Sequence, residues 1–179
     1  MSERINTPIS MAELERRWTA IRAAMKEAKV DVLIAQANND FVGGYVKYLT
    51  DMPATNGYLY TVIFPADGEI SAVAQGPFGQ DQRFDKLDAT PRRGVQRLMG
   101  TPAYSSVHYA STYDAECALK ALEKYQGATI GLLAPGSLSY GFVNHLQKNM
   151  TKATFIDATS LVDPIKAVKS AEELALIRR

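Results

Sequence analysis

Few side chains in this sequence could do chemistry. Among 179 residues there are two histidines, His108 and His145, and one cysteine, Cys117. Zinc needs three or four convergent ligands, often signalled by H-x-x-x-H or paired cysteines, and neither pattern occurs. His145 sits beside Leu146 in a helical stretch and reads as a packing or surface residue. His108, in "SSVHYAS", reads as the end of a strand with no nearby nucleophile to activate. Cys117 falls early in an Ala/Leu-rich helix, where a buried or half-buried structural thiol is the simpler role. "APGSLSYG" lacks the G-x-S-x-G spacing of a nucleophile elbow, so Ser137 or Ser139 is expected to cap a helix. Asp40 and Asp51 could share a divalent ion, but no complete ligand set accompanies them. Asp40 also lies among Asn38, Asn39 and Gly43, the composition of a turn. A Walker lysine and a G-x-G-x-x-G are both missing, leaving a nucleotide site without sequence support. Arg83, Arg92, Arg93 and Arg97 could fork onto a carboxylate, although a solvated loop face is the favoured reading. These residues do not compose a self-contained active site.

The elements that would position them follow from periodicity. "SMAELERRWTAIRAAMKEAK" predicts the first helix, opened by a Ser10/Glu13 capping box and striped by Leu14, Trp18, Ile21, Met25 and Ala28. "VDVLIAQ" is a β-branched run suited to a buried strand, and "ANNDFVGGY" breaks it as a turn or short helix. "YLYTVIFP" and "EISAVAQ" are strands joined by the turn "PADG". From Gly76 to Gly100 the pattern is irregular, with weak helical periodicity after Pro91. "DAECALKALEKYQG" predicts a helix ending at Gly127, then come the strand "ATIGLLA", the helix "SLSYGFVNHLQKNM" and the strand "ATFIDAT". A hairpin in the first half and helix–strand alternation in the second predict a three-layer α/β/α domain around a mixed, mostly parallel sheet.

Composition bounds the partners. With 46% hydrophobic and 22% charged residues the chain can bury a core. Its net charge of +1, from 20 basic and 19 acidic residues, offers no global field for nucleic acid or anionic lipid. A single cysteine, a polar N-terminus and no long apolar run predict a cytoplasmic location.

The tail, "DPIKAVKSAEELALIRR", opens a helix with a Ser170/Glu173 capping box and an apolar stripe begun by Leu174 and Ile177. It resembles the junction of the creatinase/prolidase/Xaa-Pro aminopeptidase family, Lys-Ser-x-x-Glu-Leu/Ile-x-x-Ile/Leu-Arg, through Lys169, Ser170, Glu173, Leu174, Ile177 and Arg178. Upstream, "VDVLIAQANNDFVGGYVKYLTD" resembles the family's Asn-x-x-x-Tyr-Leu-Thr-Gly stretch at Tyr48, Leu49 and Thr50, with Asp51 where the family usually has Gly. The resemblance implies a creatinase/prolidase-type N-terminal domain over 1–163. Residues 164–179 would be linker and the start of the first helix of a C-terminal catalytic domain. It also implies that this piece is inactive alone, and that two divalent ions such as Mn, Co or Zn are held by two Asp, one His and two Glu in that following domain. The expected partners are the chain's own catalytic domain and a second subunit in a homodimer, whose active site this domain would help to cover. Tyr48, Phe78, Arg83, Arg92 and Arg93 are then the expected substrate contacts, since loop arginines and aromatics suit a substrate carboxylate or guanidino group. Peptides with proline second are the common substrates of the family, and creatine-like amides the minority. Two other readings stay open: a freestanding α/β small-molecule module, and a purely structural dimerisation domain.

Overall fold

The computed structural model describes residues 8–37, 44–52, 57–86 and 93–178. Helix α1 (Met11–Ala28) leads into strand β1 (Val32–Ala37), followed by α2 (Gly44–Thr50), β2 (Tyr60–Pro65), β3 (Ser71–Ala74), β4 (Gln80–Arg83) and β5 (Arg97–Gly100). Then come α3 (Tyr113–Ala121), β6 (Thr129–Leu132), α4 (Tyr140–Asn149), β7 (Thr154–Asp157), α5 (Thr159–Ala167) and α6 (Ala171–Ile177).

The strands form one sheet in the order β4-β5-β3-β2-β1-β6-β7. Five of them, β1, β3, β5, β6 and β7, share a direction, while β2 and β4 run against it. The sheet is therefore mixed, and mostly parallel in strand direction. β4 and β5 occupy the stretch read as irregular: β4 is four polar residues on an edge, so no apolar residue marks it as a strand. The helical periodicity after Pro91 is not realised either, since residues 93–96 lead directly into β5. His108 does not end a strand. It lies in a run of turns between β5 and α3, held by bonds such as Val107 N–H to the Tyr104 carbonyl and Ala110 N–H to the Val107 carbonyl.

Alternation on the central strands builds the two faces. Leu33, Ala35 and Ala37 of β1, with Val62 and Phe64 of β2, pack under Leu14, Trp18, Ile21 and Met25 of α1 and Leu49 of α2. Val32, Ile34 and Ile63 point the other way, against Ala115 and Ala118 of α3 and Phe142 and Leu146 of α4. Strand residues two apart share a face, so a run that is apolar throughout demands cover on both sides. That is the three-layer arrangement.

One glycine is fixed by close approach. Gly94 has φ +78°, and a Cβ there would stand 2.3 Å from Trp18 Cζ2. Trp18 cannot retreat, being buried and donating its indole N–H to the Leu49 carbonyl at 2.7 Å. Gly94→Ala combines overpacking with backbone strain and is expected to cost about 2–4 kcal/mol, read as a lower urea midpoint.

Helix ends show where local signals were overruled. Ser139 caps α4, accepting from Phe142 N–H, as expected. At Ser10 only half of the expected capping box forms. Ser10 Oγ accepts from Glu13 N–H, but the Glu13 carboxylate turns to Arg16 and Arg17. Glu172 of α6 takes the Ser10 N–H instead, at 2.6 Å. Charged donors outcompete a neutral amide for the Glu13 oxygens. The expected division of the chain after residue 163 falls within α5.

Candidate functional site

Two places gather the residues of interest. The first is the edge of the sheet where β1, β3, β5, β6 and β7 end. β1 sends the chain toward α2 on one face, and β6 sends it to α4 on the other, so their boundary is a switch point of the kind at which α/β folds bind ligands. Gln36 of β1 sits there, buried. Its Nε2 donates to Thr61 Oγ1 and Asp114 Oδ2, both at 2.9 Å, and its Oε1 accepts from Ser139 N–H. Asp114 also accepts from Ala115 N–H. Burial pushes the Asp114 carboxyl up to about 6, against the pull of these donors. Around this network lie aromatics on loops and helix starts: Tyr58 edge-on to Tyr104, Phe78 edge-on to Tyr113, and the exposed Tyr109 and Tyr140. Beside Phe78 a cavity of about 50 Å³ reaches Cys117 and Lys120. Cys117 is half-buried, and burial raises its thiol pKa.

The second place lies between α1, α2 and α5. An open cavity of about 300 Å³ is lined by Ile9, Arg17, Lys47, Tyr48, Asp51 and Lys166, among others. Asp51 is the one acid among the described lining residues, and three donors converge on it: Lys47 Nζ at 2.9 Å, and Arg93 Nη1 and Ile9 N–H, both at 3.2 Å. Its φ is +53°, a conformation that glycine adopts freely. This explains how Asp can stand where the resembling motif carries Gly: the carboxylate's ion pairs offset the strain.

The expected contact residues scatter. Tyr48 is not on a loop but in α2, buried, with the Arg17 guanidinium 4.4 Å above its ring. Among the described residues its buried hydroxyl has no hydrogen-bond partner, and burial raises its pKa. Arg93 is buried against Asp51, near Tyr48, rather than solvated. Phe78 is 72% exposed on the aromatic rim. Arg83 is exposed on edge strand β4 and paired with Glu69, away from both places. Arg92 lies outside the described residues, as does Asp40. Arg97, read with the solvated group, pairs with Asp81 at 2.7 Å. The residues that sequence reading missed are Gln36, Asp114 and Arg17; Glu173 was read as half of a capping box but not as the partner of Arg17. A polar residue inside an otherwise apolar strand was the available signal for Gln36. Nothing local marks the others, because their partners lie 78 to 156 positions away.

Among the described residues no three His, Cys, Asp or Glu gather as metal ligands. The described groups therefore do not fit a metal centre. What the geometry defines is an α/β/α module with an aromatic rim and a charged flank, suited to packing and recognition. Residues 17–168 match the model of the Creatinase/Prolidase N-terminal domain, and the chain belongs to that family. Solved structures share the fold. An Xaa-Pro aminopeptidase from Streptococcus thermophilus superposes with a TM-score of 0.56 at 17% identity, over 86% of this chain and 98% of that one. Dipeptidase PepE from Mycobacterium ulcerans gives 0.62 at 18%, and a prolidase from Thermococcus sibiricus 0.62 at 12%. This chain covers 40% of each of those two, matched over 94% and 93% of its own length. No curated protein matches the sequence.

Proposed function

We propose that this chain is the non-catalytic N-terminal domain of a dinuclear-metal hydrolase of the Xaa-Pro dipeptidase or aminopeptidase type. In this reading the intact enzyme is a cytoplasmic homodimer, and the two divalent ions belong to a C-terminal domain that this one packs against. The domain covers part of an active site, excluding water and selecting substrate. Family membership over residues 17–168 is the observation that carries the reading. The dipeptidase and prolidase chains of which this one spans 40% leave room for a second domain of the required size. The absence of helices long and apolar enough to cross a membrane, among the described residues, is compatible with it.

The aromatic rim is the surface best suited to the covering role. Phe78 and Tyr113 offer ring faces to an apolar substrate group, and tyrosine hydroxyls can meet peptide carbonyls. Arg93 and Tyr48, held on the flank at Asp51 and Arg17, serve structure in this reading.

The purified 179-residue chain is expected to show no hydrolysis of Xaa-Pro peptides with added manganese, cobalt or zinc. The reading frame is expected to continue past Arg179 into a domain carrying two Asp, one His and two Glu ligands, whose product does cleave them. Turnover by the 179 residues that survives repurification would contradict the proposal. So would a stop codon directly after Arg179, which would favour the freestanding binding module. Cleavage of creatine-like amidines, with Xaa-Pro peptides untouched, would move the parent to the minority branch of the family.

A further inference from the structure

We propose that Gln36 and Asp114 are positioning residues for the aromatic rim. One buried amide ties the starts of α3 and α4 together, and so fixes Tyr113 and Phe78 as the surface that takes a large apolar side chain of the substrate. The recognition half rests on the function proposed above; the positioning half does not.

Gln36 is the one polar residue of β1, and it is 3% exposed. Thr61 stands opposite it in register on β2 and holds the amide from the sheet side, its Oγ1 accepting from Gln36 Nε2. The same nitrogen donates to Asp114 Oδ2 at 2.9 Å, while Oε1 accepts from Ser139 N–H at 3.1 Å. A backbone N–H can only donate, so the amide oxygen must face α4 and the nitrogen α3. An apolar residue of equal volume would fill β1 without the cost of desolvating an amide and a carboxylate. Packing alone does not call for this network. A buried network with its partners in place selects one geometry among near alternatives.

What it selects is the placing of two helix starts. Thr112, before α3, makes no capping bond, and its hydroxyl donates to Glu116 instead. The first turn is held by Asp114, whose Oδ1 accepts from Ala115 N–H while Oδ2 is tied to Gln36. Tyr113 is its neighbour in the chain, and the Tyr113 ring meets Phe78 edge-on with centroids 5.3 Å apart. Phe78 is 72% exposed beside the cavity of about 50 Å³, so Tyr113 is the contact that gives its ring a fixed place. On the other side Ser139, held through its N–H, caps α4 at Phe142 N–H and precedes the exposed Tyr140. An exposed ring already held in position loses less freedom on meeting an apolar group than a mobile one does.

Ring contacts in the 179-residue chain test the positioning. Nuclear Overhauser contacts between the Phe78 and Tyr113 rings are expected in the unaltered chain. Gln36→Leu keeps the volume and removes all three bonds; the ring contacts should vanish while those of buried Trp18 persist. Asp114→Asn keeps the size but has one acceptor oxygen, so it must release either Gln36 or Ala115 N–H and should weaken the same contacts. If Gln36→Leu fails to fold, Asp114→Asn decides alone. Ring contacts at full strength in every variant that folds overturn the positioning role. In the intact enzyme Gln36→Leu is expected to raise KM for Phe-Pro about tenfold relative to Gly-Pro, with kcat and metal content unchanged. Phe78→Ala should reproduce that rise, and combining the two should add little, because both act through one surface. A purely structural role would impair both peptides alike, and equal KM changes overturn the recognition half. An intact enzyme that cleaves no Xaa-Pro peptide would sink the proposed function and the recognition half together, while the ring contacts would still decide the positioning.

Discussion

Replacing Asp51 by alanine should destabilise the domain by about 3–5 kcal/mol, the range for breaking a buried ion pair from one side. The Arg93 side chain is 8% exposed and the Asp51 side chain 10%. Removing the carboxylate takes the partner from a guanidinium that is itself 8% exposed, frees Ile9 N–H, and leaves Lys47 without its helix-spaced acid. Alanine must also hold φ near +53° without the contacts that offset the strain. Asp51→Gly should therefore be milder by about 1 kcal/mol, because glycine takes that conformation freely. Asp51→Asn, which keeps acceptor geometry but no charge, should fall between alanine and the parent sequence. Urea unfolding with a constant m-value measures all three. An alanine variant within about 0.5 kcal/mol of the parent would mean that Arg93 finds water, and that the pair has no structural weight.

The second large effect is a dependence on pH set by Asp114. Its carboxyl stands at about 6 in the fold, against a usual value of 3.8, because burial disfavours the ionised form. Below pH 4 the group is protonated in folded and unfolded chains alike and contributes no penalty. Between pH 4 and about 6 the unfolded chain has released the proton and the folded one still holds it, so stability falls as pH rises. The loss is about 3 kcal/mol in total, complete above the folded-state value. Glu13 works on the other limb. Its bonds to Arg16 and Arg17 hold it down at about 2, so its contribution is present above 4.5 and is lost as pH falls toward 2. The two groups therefore pull in opposite directions, Asp114 favouring lower pH and Glu13 higher. Asp114→Asn should flatten the profile between pH 4 and 6 while leaving the acid limb intact. If that variant keeps the same decline, the switch-point network is not its cause.

Much of the architecture was readable before any coordinates. The stripe of α1, the apolar run of β1, the hairpin of β2 and β3 and the caps at Ser139 and Ser170 are consequences of neighbours within four or five positions, and each formed where its residues predicted, save that Ala28 at the end of the stripe is exposed. β4 and β5 were not readable: β4 is polar throughout on an edge and carries no apolar pattern, and β5 is placed by pairing with β3 across the intervening β4 segment. The candidate site was less legible still. Phe78 did reach the rim, but Tyr48 and Arg93 went inward, since exposure of a loop or short-helix side chain depends on what folds over it.

Family, layers and the lack of a zinc-type motif could be read along the chain, because period, capping and motif spacing are properties of residues close in order. Tertiary structure alone decided which charges are buried. Along the chain nothing marks Arg17 or Asp114 for burial, and Arg93 was expected on a loop. Each became an interior group once α6, Asp51 and Gln36 arrived from 156, 42 and 78 positions away. Desolvation and ion pairing depend on distance in space, and a linear order of residues does not carry that distance.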